Sequence, residues 1–126
     1  MARSIEDAAT SRSRVLTEAV LRVASQLDLG QADLARVIGI SASSASRMRA
    51  GTWTLPENTK AWELAALLVR VFRSVDASVG GSEKQVKQWF RAENVHLGGG
   101  SPINLCFTVE GLTGVARYLD AMRGAP

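Results

Sequence analysis

The fold is decided by residues 31–50, which read Gln31-Ala32-Asp33-Leu34-Ala35-Arg36-Val37-Ile38-Gly39-Ile40-Ser41-Ala42-Ser43-Ser44-Ala45-Ser46-Arg47-Met48-Arg49-Ala50. The apolar spacing predicts two short helices, separated by Gly39 and one apolar residue. Because so short a connection makes the helices cross steeply, a small residue is needed where they touch, and Ala35 supplies it. Gly39 suits a left-handed turn because it has no Cβ, and Ser41 is expected to cap the second helix.

The second helix is predicted to have one buried and one outward face. Ile40, Ala45 and Met48 are expected to pack it onto the first helix, which leaves its polar face free to enter a DNA major groove. Arg47 is the best candidate for a bidentate guanine contact, and Gln31 is placed to contact a phosphate. The predicted DNA-contacting residues are Gln31, Ser41, Ser43, Ser46, Arg47 and Arg49.

The charge distribution agrees with a surface that faces nucleic acid. The chain of 126 residues has a formal net charge of +3, and no acidic residue lies between Asp33 and Glu57. A basic surface without acids is what the phosphate backbone attracts. A helix rich in serine and alanine, without Asn, Gln or Lys, nevertheless discriminates bases weakly. A scaffold that contacts protein instead of DNA therefore stays open as an alternative.

The rest of the chain is also predicted to be helical, because no segment alternates apolar and polar residues. Residues 1–12 are expected to form a flexible arm or a frayed helix start, and Val15 is expected on the buried stripe of the first helix. Asn58 is expected to cap a long fourth helix. A last helix is expected to be capped by Thr108 and to bury Met122. The predicted fold class is all-α.

A glycine-containing stretch is the best candidate for a boundary between two modules, residues 13–79 and residues 80–126. It reads Ser78-Val79-Gly80-Gly81-Ser82. In the second module, Trp89 is expected to be the core aromatic residue. A loop from Asn94 to Gly100 follows, and Pro102 is expected at the first position of a helical turn. The residues of this loop are predicted to form a structural corner, and direct partner contact is the alternative.

Both modules resemble parts of one protein family. Residues 31–50 resemble the helix-turn-helix of the Xre and phage-repressor family. Residues from about 85 to 126 resemble the toxin-binding domain of the Xre/MbcA/ParS antitoxins, in which a tryptophan, a short loop with Asn and Leu-Gly, a proline and a Thr-x-x-Gly helix recur in this order. The positions expected to carry the structure of these motifs are Ala35, Gly39, Ile40, Met48, Trp89, Asn94, Leu97, Gly98, Pro102 and Gly111.

The resemblance implies an antitoxin of two helical modules, an Xre-like helix-turn-helix module followed by a small toxin-binding module. It implies a partner toxin with a RES domain, which consumes NAD or transfers ADP-ribose, and whose active-site cleft the antitoxin occludes. The NAD chemistry then belongs to the partner. Operator DNA and a second copy of the chain in a homodimer are the other expected partners. The alternative is an Xre-type transcriptional repressor whose C-terminal half dimerises or senses a ligand, without a toxin.

The outward side of the last helix and the C-terminal tail are expected to contact the toxin, because Arg and Tyr are enriched at interface hot spots. The tail follows directly on a helix stop, and the resemblance implies that Arg123 is drawn to groups in the cleft. The alternative is that Arg117 and Arg123 only stabilise the negative end of the helix dipole. The expected toxin-contacting residues are Glu110, Thr113, Arg117, Tyr118, Arg123, Gly124, Ala125 and Pro126.

Composition excludes several other classes of protein. With one cysteine, Cys106, and one histidine, His96, the chain can form no internal disulfide and cannot fill a zinc ligand set. The carboxylates show no paired pattern and no nucleophile has an activating base, so neither an enzyme nor a cofactor is expected. No stretch is apolar enough to span a membrane and the N-terminus is unlike a secretory signal, so a cytoplasmic location is expected.

Overall fold

The structure is a computed structural model that describes residues 5–124, with side chains from residue 11 onward. Its elements are α1 (Ile5–Gln26), α2 (Gln31–Ile38), α3 (Ala42–Ala50), α4 (Lys60–Ser78), α5 (Glu83–Arg91), a 3₁₀ helix (Val95–Leu97), α6 (Pro102–Leu105) and α7 (Val109–Gly124). No strand occurs within the described residues. The prediction of an all-α fold is confirmed.

The first helix begins earlier than its apolar pattern predicts. α1 starts at Ile5 and runs unbroken to Gln26, so most of the expected arm of residues 1–12 is helical, and residues 1–4 lie outside the described part of the chain. The segment before Ser13 has no apolar stripe, but it contains alanine, glutamate and arginine, which favour a helix by propensity alone. Whether this segment is flexible stays a prediction.

The buried stripe of α1 contains most of the predicted residues and differs from the prediction at its N-terminal end. Val15 is 66% exposed, so its expected core position is wrong, whereas Ser13 and Thr17 are buried. The reason is the loop after α3, which packs across α1 at this level. The backbone N–H of Leu55 donates to the Thr17 hydroxyl at 2.9 Å, so the buried polar group is satisfied.

The turns of the helix-turn-helix are as predicted. Gly39 ends α2 with φ +74 and Gly51 ends α3 with φ +82, the left-handed region in which a residue without Cβ is favoured. Ser41 caps α3, where its hydroxyl accepts the Ser44 N–H at 3.0 Å. Ala35 is buried where the two helices meet. Local capping chemistry therefore accounts for both helix ends.

The start of α4 differs from the prediction by one residue. Thr59 is the cap, and its hydroxyl accepts the Trp62 N–H at 3.2 Å. Asn58 instead has φ +64. A helix cap needs an extended backbone, so the left-handed conformation excludes Asn58 from that position and makes it a turn residue.

A single hydrophobic core connects the two halves of the chain. α4 packs against α1 and also against α7, and its residues Leu68, Val71 and Val75 are fully buried. The core cluster runs from Ala19 in α1 to Leu119 in α7. The hydrophobic core is therefore continuous across the predicted boundary at residue 79, because α4, which precedes the boundary, packs against both halves.

The second module is centred on a different aromatic residue from the one predicted. Phe90 is fully buried, whereas Trp89 is half-buried and meets the Phe90 ring edge-to-face at a centroid distance of 5.1 Å. Met122 is 63% exposed, so its predicted core position is also wrong. All residues from 121 to 124 are exposed, because the last turn of α7 extends beyond the core.

Gly111 allows α6 and α7 to approach closely. A Cβ on Gly111 would lie 1.9 Å from the Leu105 carbonyl oxygen and 2.9 Å from the Thr108 hydroxyl oxygen. That hydroxyl accepts the Gly111 N–H at 3.0 Å and so caps α7. The spacing from Thr108 to Gly111 is therefore a packing requirement.

We expect Gly111→Ala to destabilise the protein by about 1–3 kcal/mol, because a backbone carbonyl must move to admit the methyl group. Gly114→Ala is the matched control, since nothing lies within 4 Å of a Cβ at that position of the same helix. The control should raise stability by up to about 1 kcal/mol through helix propensity. Urea unfolding of both variants measures the difference, and equal effects would contradict the packing role of Gly111.

Cys106 is fully buried in the core, and burial raises the pKa of its thiol from 9.0 to about 12. At pH 8 this lowers the thiolate population by about 1,000-fold relative to an exposed cysteine. We expect the folded protein to resist a thiol–disulfide reagent that reacts at once with urea-unfolded protein. Equal reaction rates of the two states would contradict burial of the thiol.

The raised pKa also predicts how stability depends on pH. The folded-state pKa of Cys106 lies above its unfolded value, so the neutral thiol favours folding below about pH 9. This contribution is lost as the pH rises from 9 toward 12. We expect Cys106→Ala to lose less stability than the wild type between pH 8 and pH 10.5, which is about midway between the two pKa values. Urea titrations at both pH values measure the difference.

Candidate functional site

The outward face of α3 holds most of the polar side chains that the sequence assigns to DNA contact. Five of them are exposed to solvent: Ser41, Ser43, Ser46, Arg47 and Arg49. Gln31, the sixth, is the first residue of α2 and is half-buried. Gln31 and Arg49 line one cleft of about 220 Å³ between α1, α2 and α3. The packing of α2 and α3 therefore brings together Gln31 and Arg49, the first and the last of the predicted DNA-contacting residues.

Arg47 is only loosely held. Its Nη2 donates to the Ser44 hydroxyl at 3.3 Å, and this bond is exposed to solvent. Such a bond contributes little, so the guanidinium is free to reach a base edge. Ser41 differs, because its hydroxyl oxygen caps α3 and lies 3.2 Å from the Ser43 hydroxyl. Arg47 and Arg49 are consequently the exposed charges of α3, and Ser46 is an exposed hydroxyl next to Arg47 in the sequence.

The loop after α5 is fixed by its own backbone and by one side chain. Asn94 Oδ1 accepts the His96 N–H at 3.0 Å, and the Asn94 N–H donates to the Gly100 carbonyl at 3.1 Å. Gly98 ends the 3₁₀ helix with φ +83. Leu97 packs against the core. Backbone hydrogen bonds, the Asn94 side chain and the packing of Leu97 therefore define the shape of this corner.

The α7 residues that are expected to contact the toxin differ in exposure. Glu110, Arg117 and Arg123 are exposed, whereas Thr113 and Tyr118 are half-buried. Tyr118 packs against the core and stacks on His96, with ring centroids 5.9 Å apart. The loop that holds His96 covers this part of α7.

The end of α7 is tied to α4 through charges. Asp120 pairs with Arg70 and lies 3.6 Å from the Arg123 guanidinium. α7 ends at Gly124. Ala125 and Pro126, which the sequence assigns to toxin contact, lie outside the described residues. Pro102, the remaining residue of the corner, is buried at the first position of α6.

Three exposed apolar residues of the second module, Val95, Val109 and Met122, were not predicted as contact residues. Val95 is 82% exposed at the tip of the loop, and Val109 is 63% exposed at the start of α7. Exposed aliphatic side chains on an otherwise well-packed module are candidates for contact with another protein. The available signal was weak, since Val95 is an isolated apolar residue in a loop that is otherwise rich in glycine.

Comparison with known families gives two matches, which together span residues 6–125. Residues 6–70, more than half of the chain, match the antitoxin Xre-like helix-turn-helix domain. Residues 69–125 match the antitoxin Xre/MbcA/ParS C-terminal toxin-binding domain. The chain belongs to the Xre/MbcA/ParS antitoxin family. A comparison of the antitoxin with curated proteins gives no match.

Membership of the family establishes the general function of this antitoxin. Antitoxins of this kind are regulatory proteins without enzyme activity, and the two matched domains imply a toxin and DNA as partners. A repressor without a toxin, the alternative that the sequence left open, does not account for a toxin-binding domain over residues 69–125. Within residues 5–124, no helix of the antitoxin combines the length and apolarity needed to cross a membrane.

Proposed function

We propose that this antitoxin neutralises a RES-domain toxin by covering its active-site cleft in the cytoplasm, and that its homodimer represses its own operon. The toxin consumes NAD or transfers ADP-ribose, and the antitoxin supplies no catalytic group. The proposal of a RES partner rests on the resemblance of the second module, and the match to a toxin-binding domain supports the contact itself. The observation that carries toxin contact is the set of apolar and charged side chains that this module exposes.

The proposed toxin-contacting surface combines exposed apolar and charged side chains. Val95 and Val109 supply apolar area in solvent, and Glu110 and Arg117 are exposed charges of α7. Protein interfaces have this composition, with apolar contacts that exclude water and charges that orient the partner. Thr113 contributes from a groove that it forms with Val109 at the junction of α4 and α7. Tyr118 contributes indirectly, because its ring stacks on His96, which belongs to the same loop as Val95.

The tail is proposed to enter the toxin cleft. The four residues are Arg123, Gly124, Ala125 and Pro126. The ion pair of Arg123 with Asp120 is exposed and spans 3.6 Å, and such pairs contribute little free energy. Release of Arg123 toward acidic groups of a partner therefore costs little. Stabilisation of the helix C-terminus by Arg123 is the alternative role.

The tail hypothesis is tested by a chain that ends after Met122. We expect it to bind the toxin at least about 10-fold more weakly than the full chain, or roughly 1.4 kcal/mol, and to rescue toxin-expressing cells poorly. A chain that ends after Gly124 separates the contribution of Arg123 from that of Ala125 and Pro126. Promoter binding measured on the same preparations serves as the folding control. Undiminished rescue and complex formation by the shortest chain would remove the tail from the interface.

DNA binding is proposed to use two copies of α3 on a two-fold axis. Two recognition helices of a dimer meet half-sites about one helical turn, roughly 34 Å, apart. The exposed face of α3 supports this, because it bears Arg47 and Arg49 and no acid. A palindromic site in the promoter of the antitoxin's own operon is therefore expected.

Arg47→Ala should weaken binding to that promoter by about 1–3 kcal/mol if Arg47 reads a guanine. Lys84→Ala is the charge-matched control, because Lys84 is exposed on α5 in the other module. Electrophoretic mobility shifts with the promoter and with a scrambled duplex measure both affinities. Unchanged promoter affinity of Arg47→Ala contradicts the role of Arg47. A wild-type protein that retards no DNA at low salt contradicts DNA binding by this antitoxin.

A further inference from the structure

The turn that joins α1 to α2 has a conformation that is unfavourable for its residue. Asp28 has φ +57, in the left-handed region that usually requires glycine. The Leu29 N–H donates to the Ala24 carbonyl at 2.8 Å, and the Asp28 N–H donates to the Ser25 carbonyl at 3.3 Å. This is the hydrogen-bond pattern that closes a helix through a left-handed residue. Aspartate adopts positive φ less readily than glycine, so contacts from other elements can add stability to this turn.

Those contacts come from α5, which belongs to the toxin-binding module. Arg91 Nη2 donates to the Leu27 carbonyl at 2.6 Å and lies 3.4 Å from the Asp28 carbonyl. Lys87 Nζ lies 3.2 Å from Asp28 Oδ2. The carbonyls at the end of a helix lack partners within the helix and carry partial negative charge. Arg91 satisfies two of them, and Lys87 pairs with the Asp28 carboxylate beside them.

A second contact from the same module holds the other end of α2. The guanidinium of Arg36, in the last turn of α2, lies 4.5 Å from the ring centroid of Phe107, over its face. Phe107 is half-buried between α6 and α7 and packs against the core. Arg36 also lies 3.9 Å from Asp33, one turn earlier in α2. α2 is therefore held near both of its ends by residues of the module that binds the toxin.

We propose that Arg91 and Phe107 are positioning residues for DNA recognition, through which the toxin-binding module sets the orientation of α2 and of the recognition helix packed on it. The inference rests on the proposed DNA binding by α3. Neither residue needs to touch DNA. Both act through α2, which bears Gln31 at its start and packs against α3.

Positioning and simple stabilisation predict different results. Contacts to base edges require side chains in a defined place, whereas attraction to phosphates tolerates small displacements. Loss of positioning therefore lowers affinity for the promoter more than affinity for a scrambled duplex. Loss of stability alone lowers the amount of folded protein, and so lowers both affinities by the same factor.

The test compares full-length Arg91→Met and Phe107→Leu with the wild type. Methionine keeps an apolar stem and removes the donors of Arg91, and leucine keeps the packing of Phe107 but removes the ring. Lys84→Met is the matched control on α5, because Lys84 is exposed. Fluorescence anisotropy with the promoter duplex and a scrambled duplex of equal length, at one salt concentration, gives the affinity ratio. Thermal melts set a temperature at which every variant is folded.

We expect the two variants to lower the ratio of promoter to scrambled affinity by about 2- to 30-fold, the range seen when residues outside a site tune its coupling. Lys84→Met should leave the ratio unchanged. An unchanged ratio in both Arg91→Met and Phe107→Leu overturns the proposal. A wild type that binds DNA without preferring the promoter contradicts the proposed reading by α3 itself, and the inference fails with it.

A second substitution separates the turn from other effects of Arg91. Asp28→Gly favours the left-handed turn without help from α5, because glycine adopts positive φ freely. We expect the double variant Asp28→Gly/Arg91→Met to recover the wild-type affinity ratio. If the ratio stays as low as in Arg91→Met alone, the role of Arg91 in holding the turn is overturned.

Discussion

The burial of α4 between α1 and α7 is the constraint on which the rest of the structure depends. α4 has buried residues on faces that meet both partners, and Leu68 and Val75 are fully excluded from solvent. The matched family domains adjoin at residues 69 and 70, within this helix. A boundary inside a buried helix means that neither half keeps its full core when it is separated from the other. The two matched domains therefore share one hydrophobic core.

The positioning contacts proposed for Arg91 and Phe107 provide an energetic link between the two proposed interaction surfaces. If a partner on the second module alters the contacts of Arg91 or Phe107, it alters the geometry of α2 and with it the affinity for DNA. Thermodynamic reciprocity then requires DNA to change the affinity for that partner by the same factor. The contacts involved are few, and each is a single hydrogen bond or cation–π contact. A linkage of this kind is consequently modest in size and open to change by single substitutions.

The sequence predicts those parts of the fold that local chemistry decides. Gly39 at a left-handed helix end and Ser41 at a cap each follow from a few neighbouring residues, and both are found as predicted. The errors arise where a segment that is distant in the sequence determines which residues are buried. Val15 and Thr17 lie on nearly opposite sides of α1, since residues two positions apart differ by about 200° around a helix, and it is Thr17 that meets the loop at Leu55. Periodicity shows that a stripe exists, but it does not show where the partner helix covers it.

The same distinction applies to the candidate site. The outward residues of α3 could be predicted, because a helix pair with a fixed short turn leaves only one free face. The choice between Trp89 and Phe90 could not, since adjacent aromatic residues differ by about 100° around the helix and either one suits a core. The half-burial of Tyr118 could not be predicted for a related reason. The Tyr118 ring stacks on His96, and the position of His96 depends on a loop whose backbone geometry does not repeat.

The motif residues of the second module act mainly on geometry. Thr108 caps α7, and Gly111 lets its first turn press against the Leu105 carbonyl, so together they set the direction in which α7 leaves the corner. Asn94 and Gly98 do the same for the loop that carries Val95. These residues are engaged with the backbone and have little left to offer a partner. We therefore propose that this module recognises a toxin through side chains that the motif leaves free, such as those of Val95, Glu110 and Arg117, which the motif residues hold in place.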